Sequence, residues 1–125
     1  MNLAYIGRVV EIDEIPGADR VGVLRVVCGK GGIWTGVAPK GAFSISDKCE
    51  VYVQDAVLPD KPRFDFIGKD KRIKMRRFLG VPSECLIVGL SEETEGMQVG
   101  DEISEVVGVT KYEKLLPAHL SGSAI

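Results

Sequence analysis

Eight of the sixteen lysines and arginines lie between residues 60 and 77, beside only three carboxylates. The stretch reads Lys61-Pro-Arg-Phe-Asp-Phe-Ile-Gly-Lys-Asp-Lys-Arg-Ile-Lys-Met-Arg-Arg-Phe78. Point charges that follow a phosphate backbone, with an aromatic ring on which a base stacks, are the equipment of a single-stranded nucleic-acid site. If residues 72–78 form one strand, alternation sets Arg72, Lys74, Arg76 and Phe78 on one face and Ile73, Met75 and Arg77 on the other. Lys69 and Lys71 join from the preceding loop, and because alternation puts Arg77 opposite the others, either a bulge re-aims it or one of the two groups is not a contact. Phosphate contacts are therefore expected from Lys69, Lys71, Arg72, Lys74, Arg76 and Arg77, with Phe78 as the stacking ring. A water-facing basic strand is also a common guard against edge-to-edge pairing, and these charges can pair with Glu92, Glu93 and Glu95. Charge alone does not choose between the two readings.

The net charge of −2 and pI near 5.4 conceal this patch. Residues 1–59 carry 6 basic and 7 acidic side chains, and residues 78–125 carry 2 and 8. An acidic average does not exclude a polyanionic partner, because a phosphate feels the local field.

Other chemistries find little support. His119 is the single histidine, so neither an imidazole pair for a metal nor a Ser-His-Asp arrangement is available. Cys28, Cys49 and Cys85 are odd in number, lack a Cys-x-x-Cys pair and flank valine-rich runs, which suits small buried hydrophobes. The run Cys28-Gly-Lys-Gly-Gly32 lacks the spacing of a phosphate-binding loop and reads as a hairpin turn. Lys69-Asp70-Lys71 does not match the Lys-x-Asp-Gly of a nucleotidyltransferase nucleophile. Glu92, Glu93 and Glu95 read as a solubilising loop, and Trp34, Phe43 and Tyr52 as packing rings. No catalytic residue, metal or cofactor is expected.

The elements that position the basic stretch have period two. Strands are expected at Ala4 to Ile12, Val21 to Cys28, Gly32 to Ala38, Cys49 to Gln54, Arg72 to Phe78, Glu84 to Gly89 and Glu102 to Val106. Turn formers separate them at Pro16-Gly17, Gly29 to Gly32, Pro39 to Gly41, Ser46-Asp47, Pro59-Asp60, Gly80 to Ser83 and Gly100-Asp101. Helix is confined to a turn or two within Val106 to Leu116 and a short segment at Ala18-Asp19-Arg20. Six or seven short strands in one domain predict an all-β, small Greek-key-like barrel over residues 1–116, with 117–125 as a tail or linker. A chain of 125 residues buries about two thirds of its surface without staples. No run approaches the ~20 apolar residues of a membrane span, so a cytoplasmic location is expected.

An ordered set of motifs adds to this. Ala18-Asp19-Arg20-Val21, Asp47-x-x-x-Val51-Tyr52, Asp55-Ala-Val-Leu-Pro59, Phe64-x-Phe66, Arg72-Ile73-Lys74, Gly80-x-x-Ser83, Gly100-Asp101 and Gly108-Val109-x-Lys111-Tyr112-Glu113 follow in that order. Over residues 5 to 122 the chain resembles the amino-terminal OB-fold module of ATP-dependent RNA ligases that join a 3′-hydroxyl to a 5′-phosphate. The family pattern Arg-Ile-Lys-x-x-Arg-Leu-Arg-Gly followed by Ser-Gln-Gly is matched at Arg72, Lys74, Arg77, Gly80 and Ser83. Leu79 replaces a basic residue, and Glu84-Cys85 replaces Gln-Gly. The resemblance implies an OB-type barrel that engages RNA or nicked RNA-containing duplexes. The family's adenylylated lysine, ATP site and metal ligands have no counterpart in these residues. Lys111 and Tyr112 match the join between modules and are expected to dock against an adenylyltransferase domain or subunit.

The function expected is a nucleic-acid-binding module, RNA favoured, without catalysis of its own. The alternative is a protein-interaction or homo-oligomerising barrel whose basic face meets an acidic protein surface.

Overall fold

The computed structural model describes residues 2–67 and 71–112, with Phe78 as backbone only. Lys69, His119, the boundary at Leu116 and the tail at 117–125 lie outside the described residues. The strands are β1 (Ala4–Glu14), β2 (Val21–Val27), β3 (Ile33–Pro39), β4 (Lys48–Val53), β5 (Ala56–Val57), β6 (Arg76–Phe78), β7 (Val81–Ser83), β8 (Cys85–Val88) and β9 (Thr110–Lys111). A single helical turn, α1 (Ser104–Val107), and two 3-10 turns, Gly29–Gly31 and Pro62–Phe64, complete the elements. The expected all-β class with little helix is what the chain adopts.

Five antiparallel strands run in the order β3-β2-β1-β4-β8. β1 serves two partners, pairing β4 through Ala4 to Arg8 and β2 from Arg8 onward. A register shift between Val9 and Glu11 gives it the local twist that a curved sheet needs. The sheet then nearly closes on itself. Glu84 N–H donates to Thr35 O at 2.8 Å, and Val37 N–H donates to Ser83 Oγ at 3.2 Å. Gly36 makes this approach sterically feasible, because a Cβ there would lie 2.9 Å from Ile87 Cδ1 and 3.0 Å from Cys85 O. The Gly29–Gly31 turn joins β2 to β3 as the expected hairpin connection, not as a phosphate cradle.

Ile6, Val9, Val26, Val51, Tyr52, Phe64 and Ile103 fill the interior. Each large apolar side chain withdrawn from water contributes about 1.5–3 kcal/mol before entropy is counted. All three cysteines are free and buried, and burial pushes the Cys28 thiol up to about 11 and the Cys49 thiol up to about 12. They are neutral core side chains at physiological pH, as the valine-rich context predicts.

Four local expectations are corrected. Residues 72–78 are not one strand: Arg72 makes an isolated bridge to Val57, and pairing resumes only at Arg76. The stretch 80–83, read as turn, contains β7, which pairs with β6. Glu102 bridges Tyr5 but the chain then enters α1, so Glu102 to Val106 is not a strand. The Glu102 carboxylate accepts from Ser104 N–H at 2.9 Å and Leu3 N–H at 3.2 Å, which favours a turn there over extension. The helix expected from Val106 begins two residues earlier and stops at Gly108, whose φ of 94° ends it.

Candidate nucleic-acid interface

Residues 71–73 are sewn to the turn that precedes β5 and to β5 itself. Asp55 N–H donates to Ile73 O at 2.9 Å, Ile73 N–H to Ala56 O at 2.8 Å and Leu58 N–H to Lys71 O at 2.8 Å. Ile73, only 5% exposed, plugs this segment into the core. After it β6 and β7 form a separate two-stranded ribbon, connected by Leu79 and Gly80, both at positive φ (49° and 85°). Two successive left-handed residues make the tight loop whose twist matches a hairpin. The ribbon is paired separately from the five-stranded sheet and is tied to it through β7, where Ser83 Oγ accepts from Val37 N–H of β3 at 3.2 Å. Arg76 and Arg77, expected on opposite faces, are both exposed and both line one cleft without a bulge between them.

The predicted cations have different fates. Arg72 Nη2 lies 2.9 Å from Asp55 Oδ1, and its guanidinium stacks 3.6 Å from the centre of the Tyr112 ring. Lys71 Nζ donates to Ile67 O at 3.4 Å and sits 4.0 Å from Asp65 Oδ1, directed at its own chain. Lys74 is exposed on the segment leading to β6. The expected pairing of the basic stretch with the acidic loop is seen at Lys61 and Glu93, 3.7 Å apart. Phe78 contributes backbone pairing with Val81. Of the residues expected to dock another domain, Lys111 is exposed and pairs with Ala56, while Tyr112 N–H donates to Asp55 O at 2.8 Å. Tyr112 and Arg72, assigned to different roles by sequence, are in contact.

A cleft of about 420 Å³ opens between ribbon and barrel. Arg72, Lys74, Arg76 and Arg77 contribute to its lining, Val37, Ile67, Ile73 and Leu86 supply apolar surface, and among the described residues no carboxylate lines it. Phe66, 65% exposed, belongs to the same wall. Sequence reasoning gave Phe66 no role beyond a family motif. Its signal was an aromatic residue inside the most basic stretch of the chain.

A buried charge was also missed. Glu50, 0% exposed, accepts from Tyr52 Oη at 2.5 Å, Thr94 Oγ1 at 2.6 Å and Ser91 N–H at 3.0 Å, and pairs with Arg63 Nη2 at 3.0 Å. Burial pushes its carboxyl up, but the hydrogen bonds from Thr94 and Tyr52 and the Arg63 charge outweigh this and hold it below its ordinary value. Arg63 also donates to Gly89 O at 3.0 Å and lies over the Phe64 ring at 4.8 Å. Thr94, at the centre of the supposed solubilising loop, is buried and anchors that loop to β4. The network is complete within the chain and is structural. Among the described residues no cluster of three or more His, Cys, Asp or Glu is placed to hold a metal, and no helix is long and apolar enough to cross a membrane.

Known proteins place this geometry. No curated protein matches the chain. Residues 3–86 match the family model of an OB-fold domain. Among solved structures, a Naegleria gruberi RNA ligase with PPi superposes with a TM-score of 0.78 at 27% identity, over 96% of this chain and 38% of that one. A mutant apo form of the Naegleria gruberi ligase gives 0.81 at 27% identity, over 97% and 38%. A mutant with AMP and Mn gives 0.76 at 29% identity, over 90% and 36%. The chain thus spans well under half the length of the ligase it resembles. By its strand order, its near-closure and the residues matched, the chain belongs to the OB-fold domain family and resembles the amino-terminal module of RNA ligases.

Proposed function

We propose that the chain is a nucleic-acid-binding module of the RNA ligase type, engaging RNA or nicked RNA-containing duplexes and performing no catalysis by itself. The observation that carries this reading is the cleft lined by four cationic side chains, with no carboxylate lining it among the described residues. Its field suits a polyanion, and the solved neighbours are RNA ligases. Lys74, Arg76 and Arg77 make the phosphate contacts. Arg72 holds the segment through Asp55 and Tyr112, and Lys71 is spent on its own loop. Lys111, exposed on β9, is the docking residue toward an adenylyltransferase domain.

Fluorescence anisotropy of labelled single-stranded RNA, duplex and nicked duplex at 50 and 200 mM salt tests the reading. Three neutralised phosphates on a single strand give a log–log salt slope near −2, about a twentyfold loss over that range. Contacts from all six predicted cations would give a slope near −4 and a loss of a few hundredfold. No binding at tens of micromolar protein in the lower salt overturns the reading. A mass that rises with concentration, with no RNA bound, would favour an oligomerising barrel instead.

A further inference from the structure

The cleft has more than phosphates require. Phosphate oxygens are satisfied by cations and N–H groups on an open surface, and gain nothing from apolar walls. Here Ile67, Ile73 and Leu86 line the same space as Arg76 and Arg77, and the Phe66 ring shares that wall with 65% of its surface exposed. A volume of about 420 Å³ falls within the ~300–1,000 Å³ that holds small organic ligands. An occupant that joins a flat apolar part to negative charge matches both kinds of lining. A base inside a helix has both faces covered by its neighbours, so a base offers a face to a protein ring at a helix end or out of the stack.

Resting on the nucleic-acid reading above, we infer that the cleft receives one unstacked nucleobase of an RNA strand, its face on Phe66 and its flanking phosphates on Arg76 and Arg77. The substrate class is RNA with a single-stranded end, a gap or an extruded nucleotide, not an uninterrupted helix. Phe66 is the specificity-determining residue, and the arginines supply affinity that does not depend on sequence.

The test uses the full chain and single-stranded RNA carrying one 2-aminopurine, with a fully paired duplex as reference. Wild type is expected to quench 2-aminopurine on binding and to prefer the single strand. Phe66→Leu keeps the apolarity but removes the stack: it should weaken single-strand binding roughly tenfold, abolish quenching and leave the salt slope unchanged. Phe66→Trp should restore both affinity and quenching. Salt-dependent binding by wild type with Phe66→Leu indistinguishable from it overturns the base pocket and leaves the nucleic-acid reading standing. An equal loss on the paired duplex overturns the preference for an unstacked base. Absence of binding by wild type overturns both.

Discussion

Two charged regions of this small barrel follow opposite plans. Around Glu50 a carboxylate is sunk among Tyr52, Thr94, Ser91 and Arg63, each at hydrogen-bonding distance, and the charge is consumed inside the fold. On the β6–β7 ribbon Arg76 and Arg77 are exposed beside a cleft that no carboxylate lines among the described residues. The first arrangement fixes a loop to a strand; the second leaves a field pointing outward. Burial therefore separates charges that hold the structure from charges that face water, even though Arg63 and Arg76 belong to the same basic stretch of sequence.

Breaking the buried region should have the largest effect. Glu50→Ala leaves the Tyr52 and Thr94 hydroxyls and the Arg63 guanidinium without their shared acceptor, a loss of roughly 3 kcal/mol by urea denaturation. Arg63 keeps part of its head in water, which trims the cost. The sign of the pH dependence follows from the lowered Glu50 carboxyl. Its stabilisation is present above the ordinary value of 4.5 and is lost as pH falls through the lower value of the folded state. Glu50→Gln should flatten that acid limb while RNA affinity at neutral pH stays unchanged. An acid limb identical to wild type would mean that other carboxylates govern acid unfolding.

Next in size is the seam where β3 meets β8. Gly36→Ala puts a methyl 2.9 Å from Ile87 Cδ1 and 3.0 Å from Cys85 O, and should cost about 1–3 kcal/mol through overpacking. Since Val37 and Cys85 also line the cleft, this substitution is expected to weaken RNA binding as well as stability. Unchanged stability would show that the seam opens without penalty.

These two sites mark where the sequence could and could not be read. β2 was legible to within a residue because Val21 to Val27 has short β-branched runs between turn formers and needs no distant partner to declare itself. The basic strand was overextended because Ile73 and Met75 alternate with Arg72 and Lys74, the same pattern a half-buried strand shows. In the fold Ile73 is buried but Met75 is 50% exposed. Arg72 is drawn toward Asp55 and Tyr112, seventeen positions before it and forty after, and no local period encodes such a pairing. Glu50 was missed for a related reason. Its place between Cys49 and Val51 suggests a solvent face, yet β4 lies between β1 and β8 with both faces covered. The signal available was Tyr52, two residues on and therefore on the same face.

Arg72 sits between the two plans and sharpens the contrast. Arg72→Ala removes the Asp55 pair and the Tyr112 stack and should cost roughly 1 kcal/mol. Amide exchange at Tyr112, which donates to Asp55 O, should accelerate, and Arg72→Lys should restore only part of the protection because an ammonium cannot stack as a plane. If Arg72→Ala instead lowered the RNA salt slope with Tyr112 exchange unaltered, Arg72 would belong with the outward charges.

The smallest effect on stability is expected where the effect on binding is greatest. Arg76→Ala with Arg77→Ala removes two exposed side chains from a ribbon whose backbone pairing to Ser83 and Pro82 does not depend on them, so the denaturation midpoint should move by no more than about 0.5 kcal/mol. The RNA salt slope should fall by about 1.4, the share of two single-strand phosphates. That pairing of a silent fold with a shallower slope is what outward charges must show and buried ones cannot. A double variant that lost stability while keeping its slope would move Arg76 and Arg77 into the structural class with Arg63, and the division by burial would fail at the site it was meant to identify.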